Sequence, residues 1–353
     1  MAQIHKYDVL QEETFQITEE WRSVLDDYEE KGLGVRIMTI EIWDSFNDTR
    51  RFFGNETNKN MHFPLNILTL PLYYMVNAIH IDDGIRNWID TMPSVGVPSW
   101  IMSNHDIPRM AARSFPEFSL SGFMIALLLP GVVSTYYGEE ICMQDMFLRP
   151  DQLRDPSKQK GGFLRDPART PMQWDDSPNA GFTNEEVMPW LPVNPNYWKI
   201  NVKEQLQESR SHLNIFKRLM ELRKSTVIKD GQLETCAATP WLFILHRYLR
   251  EKSSVIVVIV NMGTEIETVS LNNCSMIVPN VMEVHTASPN SGYNVGNKFT
   301  ICNSSSRHCA KLRPKSGVVL SLARSSSNSC TVFAPNCLLA SIIFIIISFL
   351  YQH

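Results

Sequence analysis

Short apolar runs alternate with helix-like segments over the first half of the chain. Residues 35–42, 99–102 and 131–136 are rich in β-branched and other apolar side chains, which is typical of buried strands. Residues 64–70 form a fourth, weaker run, and residues 119–129 have the character of a helix between two of the strands. Strands that alternate with helices indicate a parallel sheet of the α/β class.

A long stretch without periodicity separates this region from the rest. Residues 143–198 are rich in Pro, Asp, Asn and Trp, and because the stretch is too long for a simple connector we expect an ordered functional loop. Residues 213–222 then show the spacing of an amphipathic helix. Beyond Gly231 the pattern changes to short strands, which favours a small antiparallel β domain.

Polar side chains follow three of the predicted strands at the point where each strand ends. Glu41 ends the first, residues 104–106 (Asn-His-Asp) follow the next, and residues 138–140 follow the third. In a (β/α) barrel the catalytic residues lie at these C-terminal strand ends. Hydrolysis of a glycoside with retention needs two carboxyl groups about 5–5.5 Å apart. Glu41 is a candidate for the acid/base, and His105 with Asp106 could bind sugar hydroxyls and stabilise positive charge on the ring. Each feature alone is also typical of a solvated strand end or a helix cap.

Charge and cysteine content narrow the kind of partner. The chain carries 33 basic and 37 acidic residues without a basic cluster, so we expect no nucleic acid and favour a neutral partner. None of its seven cysteines forms a C-x-x-C pair or a zinc-type group, so we expect no metal site. Cys274, Cys302 and Cys309 lie close together in sequence. They favour a disulfide in an oxidising compartment, with buried free thiols as the alternative.

Four sequons point toward the secretory pathway. They begin at Asn47, Asn55, Asn273 and Asn303. Each is an acceptor for N-glycosylation in a secreted protein, although such tripeptides also arise by chance.

The last segment, residues 324–353, has the layout of a GPI-attachment signal. An uncharged apolar tail over residues 337–351 follows a spacer and a run of small polar residues. The candidate attachment residues are Ser326, Ser327, Asn328 and Ser329. A tail anchor and a buried core helix are the alternatives. The tail is short against the roughly 17–25 residues that span a bilayer, and a terminal core helix would show a polar face, so we predict a GPI-anchored protein at the cell surface.

The N-terminus does not supply the signal that such an anchor requires. Residues 1–15 contain neither a basic n-region nor an apolar h-region. A GPI signal acts only on a chain that has entered the secretory pathway. We therefore expect a preceding segment with a signal peptide that is missing from this sequence.

Five ordered blocks between residues 104 and 197 carry a family resemblance. They read NHDIPR from Asn104, LPGVVSTYYGEE from Leu129, RDPARTPMQW from Arg165, NAGF from Asn179 and PWLPVNPNY from Pro189. This combination resembles the α-amylase superfamily (glycoside hydrolase family 13), and within it the branch of oligo-1,6-glucosidases and insect maltases. The resemblance extends more loosely over residues 4–322.

The resemblance implies roles for four residues. Asp106 matches the aspartate that stabilises the transition state, and His105 matches the neighbouring sugar-binding histidine. Arg169 matches the arginine that holds the terminal glucose. Glu41 matches the general acid/base, although isoleucines flank it where the family usually has Thr and Ala.

The resemblance also implies that the nucleophile lies outside this chain. No segment matches the Gly-Phe-Arg-x-Asp block that carries it, or the earlier block with an Asn-His pair. The family's calcium site, where one is present, lies in the same upstream portion. The implied fold is α/β: the C-terminal half of a (β/α)8 TIM barrel over residues 1–230, with its active-site loop at 143–198, then a small antiparallel β-sandwich domain over residues 231–323. Four strands cannot close a barrel, so we expect open strand edges.

The implied activity is that of a retaining α-glucosidase (maltase). It would release terminal α-1,4-linked glucose from maltose, sucrose or short oligosaccharides without a cofactor, and this chain by itself would be inactive. The alternative is a non-catalytic GPI-anchored binding protein of maltase ancestry, since similar mosquito maltases also act as toxin receptors. Amino-acid-transporter heavy chains are a further variant of that class.

Overall fold

The computed structural model describes residues 10–42, 45–65, 77–156, 164–250, 254–302 and 309–322. Three predictions fall on other residues: the sequon at Asn303, the attachment residues 326–329 with their apolar tail, and the second part of the weak strand, 66–70. Within the described ranges, no helix is both long and apolar enough to cross a membrane. All the described residues belong to one compact unit.

The first part of the chain contains the four strands that the sequence predicts. The strands are β1 (Thr39–Glu41), β2 (Phe63–Leu65), β3 (Ser99–Ile101) and β4 (Val132–Ser134). They form two parallel pairs, β1 with β2 and β3 with β4. The Ser99 hydroxyl donates to the carbonyl of Pro64 and so links the two pairs. The four strand ends therefore face the same way, as in one side of a barrel.

Five helices accompany these strands. They are α1 (Glu12–Glu30), α2 (Phe46–Arg51), α3 (Ala78–Asp90), α4 (Met110–Arg113) and α5 (Pro116–Leu128). α1 buries Phe15 and Thr18 on one face. Its other face, here called the apolar α1 face, exposes Ile17, Trp21, Val24 and Tyr28.

The α5 helix is buried on all sides. Every residue from Phe118 to Leu128 is buried, and a helix that is apolar all round requires an apolar partner on each side. Its partners are the barrel-side core, which includes Trp100, and the sheet of the second region, which contributes Val258 and Val319 to the same cluster. Both regions therefore share one core.

The second region is an antiparallel sheet preceded by short helices. The helices are α6 (Val202–Gln207), α7 (His212–Arg223) and α8 (Thr226–Lys229). The strands are β5 (Gln232–Ala237), β6 (Leu242–Tyr248), β7 (Val255–Asn261), β8 (Glu267–Thr268), β9 (Val281–Ala287), β10 (Lys298–Thr300), β11 (Lys311–Leu312) and β12 (Ser316–Ser321). Six of them form a sheet in the order β10-β9-β12-β7-β6-β5, and β8 pairs with β11.

Both faces of the six-stranded sheet are covered. Along β6, Phe243 and Leu245 point into the core shared with α5, while Leu242 and Ile244 belong to a second cluster on the opposite face. This alternation is the period of two that a strand imposes. The sheet thus lies between two apolar layers, which explains why β6, β7 and β12 are buried at nearly every position.

Two arginines cap the C-terminus of α5. Arg247 donates to the Leu128 carbonyl at 2.9 Å, and Arg223 donates to the Leu129 carbonyl at 3.0 Å. Carbonyls in the last turn of a helix have no partner within the helix, so these side chains satisfy groups that would otherwise be buried without a hydrogen bond. Arg247 is fully buried, and this burial lowers its pKa to about 10.

Two disulfides lie in the sheet region. Cys302 is bonded to Cys309, and Cys274 to Cys236. The predicted disulfide among the late cysteines is confirmed for the first pair. The partnership of Cys236 was not expected, because it lies 38 residues before Cys274 and meets it only through the fold.

Candidate active site

The candidate residues meet at the C-terminal ends of β1 and β3. Glu41 is the last residue of β1, and Asn104 lies three residues beyond β3. The Asn104 amide donates to Oε1 of Glu41 at 2.9 Å, and its Oδ1 accepts the backbone N–H of Asp106 at 2.9 Å. The buried Asn104 side chain therefore fixes Glu41 relative to the turn that carries Asp106.

The Asp106 carboxylate lies within a cluster of charged groups. Arg165 and Arg169 both donate to its Oδ1, at 2.8 and 2.9 Å. Nε2 of His105 lies 3.5 Å from its Oδ2. All four side chains are partly exposed, so the cluster can be reached from solvent while each group is held by its neighbours.

The long loop contributes both arginines. Asp166, the first residue of a 3-10 helix, accepts the backbone N–H groups of Arg154 and Asp155 at 2.6 and 2.7 Å, which holds two parts of the loop together. The buried Asp155 in turn accepts from Arg165, and this pairing raises the pKa of Arg165. Arg169 donates from Nε to the His105 carbonyl at 2.8 Å. The loop is thus tied directly to the turn after β3.

Arg109 supports this turn from beneath. It is fully buried, and its guanidinium lies 4.7 and 4.5 Å from the ring centroids of Tyr136 and Tyr137. Its backbone N–H donates to Asp145 at 2.9 Å, and its side chain donates to the Tyr137 carbonyl. Cation–π contacts of this kind are strongest when desolvated, so Arg109 joins the segment after β4 to the segment after β3.

A second buried charge lies close by. Glu139 is 3% exposed and follows β4 in a 3-10 turn, Glu139–Ile141. Burial raises its pKa to about 7, although Arg113 and Arg109 oppose the shift.

The structure brings together all four residues that the resemblance assigned to the site. Glu41, His105, Asp106 and Arg169 belong to one connected set of contacts. Arg165 has no role assigned by the resemblance, and its position immediately before the DPAR stretch (Asp166–Arg169) gives no signal that it would also reach Asp106. Only the folded loop shows this contact.

The asparagines of the three sequons within the described residues are exposed, but their hydrogen bonds differ. Asn55 accepts two backbone N–H groups of its own turn through Oδ1, from Thr57 and Asn58. The side chain of Asn47 accepts from Arg50. Asn273 donates its amide to the Ala238 carbonyl at 2.9 Å. Their use as glycosylation sites stays a prediction.

The arrangement suits chemistry on an uncharged, hydroxyl-rich ligand. Two carboxyl groups from different strands lie in one hydrogen-bonded set, and guanidinium and imidazole donors surround one of them. Carboxyl pairs of this kind supply an acid and a charge-stabilising group in glycoside hydrolysis. The surrounding donors can bind sugar hydroxyls.

Comparison with known proteins agrees with this chemistry. The family description "Alpha amylase, catalytic domain" matches residues 2–231. The salivary alpha-glucosidase of Aedes aegypti is 35% identical over 271 residues, which cover 74% of this chain and 46% of that protein. Maltase A1 of Drosophila melanogaster is 32% identical over 277 residues, which cover 76% of this chain and 47% of that protein. The chain thus spans about half the length of the curated relatives it matches.

Solved structures show the same fold. An alpha-glucosyl transfer enzyme matches with a TM-score of 0.71 and 22% identity, covering 89% of this chain and 55% of that one. The trehalose-6-phosphate hydrolase of Bacillus licheniformis matches with a TM-score of 0.69 and 21% identity, covering 87% of this chain and 59% of that one. The expected α/β class, with TIM-barrel neighbours and a C-terminal antiparallel sheet, is confirmed. The chain belongs to the alpha-amylase family of enzymes, with alpha-glucosidases and maltases of insects among its relatives.

Proposed function

We propose that this chain is part of an α-glucosidase that releases terminal α-1,4-linked glucose from maltose, sucrose or a short oligosaccharide, with retention of configuration. The observation that carries the proposal is the link from Glu41 through Asn104 to Asp106, which joins two carboxyl groups from different strand ends. The names of the insect relatives point from glycosidase chemistry in general to this substrate class.

Each polar group has a role in the proposed mechanism. Glu41 donates a proton to the glycosidic oxygen and later removes one from the attacking water. The Asp106 carboxylate stabilises the positive charge that develops on the sugar ring. His105 and Arg169 bind hydroxyl groups of the terminal glucose. Carboxyl groups and water suffice for these steps, so the proposal includes no cofactor.

A retaining mechanism also needs a nucleophilic carboxylate close to the acid/base. The resemblance assigns none within this chain, which spans about half the length of its relatives. We therefore propose that another segment of the catalytic domain supplies it. The chain by itself is expected to show no measurable maltase activity.

Glucose release from maltose tests this function on two samples. One is the purified chain, and the other is the chain joined to the part of the Aedes aegypti enzyme that precedes the matched region. We expect activity only in the joined enzyme, with the α-anomer of glucose formed first. D106N is expected to lower its kcat/KM by about 100-fold or more, whereas D151N, at an exposed site in the same loop, should leave it unchanged. Maltose hydrolysis by the chain alone, or full activity of D106N, would contradict the proposal.

We also propose that a GPI anchor attached within residues 326–329 holds the protein at the cell surface. Two disulfides and three sequons with exposed asparagines fit an oxidising, secretory compartment. Phosphatidylinositol-specific phospholipase C should release the full-length product from cells, and bulky residues at 326–329 should abolish anchoring. A tail anchor would instead leave the protein on the membrane after this treatment.

A second candidate is the non-catalytic surface receptor, including toxin binding of the kind known for some mosquito maltases. The observation that favours it is the exposure of large apolar side chains on the long loop: Phe147 at 90%, Met188 at 89% and Trp190 at 70%. Contiguous exposed apolar groups mark protein–protein contact sites, and Met188 and Trp190 lie two residues apart in the chain. An inactive joined enzyme, together with toxin binding that W190S abolishes, would favour this candidate over the hydrolase.

A further inference from the structure

The buried Glu139 carboxyl joins the two ends of the segment that carries the candidate catalytic turn. Its Oε1 accepts from the Ser103 hydroxyl and from the backbone N–H of Met110, the latter at 3.4 Å. Residues 103–110, here called the 103–110 loop, include His105 and Asp106. A single oxygen atom thus closes this loop at its base.

Glu139 is itself held firmly. Gly138, which precedes it, has a φ of 84°, and a Cβ at that position would lie 2.3 Å from Sδ of Met143. The backbone N–H of Glu139 donates to Tyr136 at 3.2 Å, and the N–H of Met143 donates to Gly138 at 2.8 Å. The turn therefore has little freedom, and the carboxyl acts as a fixed point for the loop.

The charges around Glu139 oppose one another. Arg113 and Arg109 on the loop side favour its ionised form, but burial outweighs them and raises the pKa to about 7. Four further titratable groups lie around it, and burial raises the pKa of each. They are Tyr136, Glu140, Cys142 and Asp145. Among the described residues, Oε2 of Glu139 has no hydrogen-bond partner, so ionisation leaves charge on an unsolvated oxygen.

We propose that Glu139 is a positioning residue that sets the place of His105 and Asp106 by holding both ends of the 103–110 loop. The proposal rests on the proposed function only for what those two residues do with the sugar. The closed loop retains the proton of Glu139, and opening exposes the carboxyl to water and releases it. The open form therefore gains population as the pH rises from about 5 to about 8.

Hydrogen exchange at the Met110 amide reports the opening of the 103–110 loop directly, because that N–H donates to Glu139. The protection factor, corrected for the intrinsic rate, is measured on the full chain between pH 5 and pH 8. We expect the wild type to lose about 100-fold in protection over this range. The pKa of Glu139 is 4.5 when exposed to water and about 7 in the closed loop, and each pH unit between these values changes the opening equilibrium about tenfold. E139Q is neutral, has the same shape and keeps an acceptor oxygen, so its protection should stay at the level of the wild type at pH 5.

Two further variants separate positioning from a general loss of structure. E140Q changes the neighbouring carboxyl, whose pKa burial also raises, and should keep the slope of the wild type. S103A removes one of the two donors and should lower protection at every pH while keeping the slope. The proposal would be overturned if protection of the Met110 amide in the wild type did not change with pH, or if E140Q abolished that change. It would also be overturned if E139Q kept the wild-type slope or lost protection at every pH.

The exchange measurement does not depend on catalysis, so a failed maltose assay leaves it interpretable. In the joined enzyme, E139Q should lessen the decline in kcat/KM that the wild type shows between pH 6 and pH 8, the rest of which reflects loss of the Glu41 proton, while the two should agree at pH 5. An active joined enzyme in which E139Q leaves that decline intact would overturn the positioning role and leave the proposed function standing.

Discussion

Two arginines meet one carboxylate at the centre of the site. Arg165 spans Asp106 and Asp155, and Arg169 reaches Asp106 and the carbonyl of His105. A planar guanidinium can satisfy two acceptors in fixed directions, whereas an ammonium is a point charge. The geometry around Asp106 therefore depends on the shape of these side chains as well as on their charge.

Arg165→Lys tests that dependence. The lysine keeps the charge but cannot contact Asp106 and Asp155 with the same directed hydrogen bonds, so we expect kcat/KM for maltose in the joined enzyme to fall about 10-fold or more. The control is Arg149→Lys, whose exposed partner Asp151 should make the change nearly silent. Equal activity of the two variants would show that charge alone is sufficient.

The raised pKa of Glu139 also predicts how the stability of the chain depends on pH. Burial raises its pKa from 4.5 to about 7, so the folded chain keeps a proton that the unfolded chain has lost between those values. The free energy of unfolding therefore falls as the pH rises through this window, and the loss is complete above about pH 7. At about 1.4 kcal/mol per pKa unit the loss approaches about 3 kcal/mol. Thermal unfolding should show equal stability of E139Q and wild type near pH 4.5 and a higher Tm for E139Q at pH 8; a lower Tm at pH 8 would contradict this.

At the scale of elements, α5 depends on side chains far from it in sequence. Arg247 on β6 donates to the carbonyls of Leu128, Ile228, Gly231 and Gln232, and all of these contacts are at least partly buried. Arg223 on α7 donates to the carbonyls of Leu127 and Leu129 at the same helix end. The two arginines therefore join α5, α7 and the sheet.

Arg247→Met should be strongly destabilising. It fills a similar space but leaves several buried carbonyls without donors, each worth about 1–3 kcal/mol. We expect a fall of about 3 kcal/mol or more in the free energy of unfolding, measured by denaturant titration. Lys217→Met, at an exposed position on α7, is the matched control and should change it by less than about 0.5 kcal/mol. Similar values for both variants would show that the cap adds nothing to stability.

Sequence patterns predicted those elements whose burial is uniform. The first four strands, α5, α7, β6, β7 and β12 all show apolar runs or helical spacing, and the pattern is weakest in β2. The pattern does not single out β5, because its Gln, Glu and Thr positions read as polar and its pairing with β6 arises from the fold. At the site, Glu41 and the turn after β3 could be predicted from strand ends, whereas the contact between Arg165 and Asp106 depends on a loop without periodicity.

At the scale of the whole molecule, the apolar α1 face is the most unusual surface. Ile17, Trp21, Val24 and Tyr28 recur every three or four residues, which is the spacing of a buried helix stripe, yet each is more than 40% exposed. Surfaces of this kind promote association in water. The isolated chain should therefore self-associate through α1.

The double variant Trp21→Glu/Tyr28→Lys should reduce that association. Light scattering at increasing concentration should show a smaller mean particle mass than for the wild type, because the two charges interrupt the stripe. The control is Val281→Lys, which adds a charge at an exposed position on β9. Unchanged association in the double variant would place the contact elsewhere.

The burial of α5 between two apolar layers limits how this family can diverge. Its residues must match the barrel strands on one side and β7 and β12 on the other. Recombination between relatives at a junction near residue 230 would combine an α5 from one parent with a sheet from the other, and the two surfaces would not interlock. The barrel strands, α5 and the sheet region should therefore be inherited together, so that chimaeras fold well only when their crossover lies before β1, which begins at Thr39.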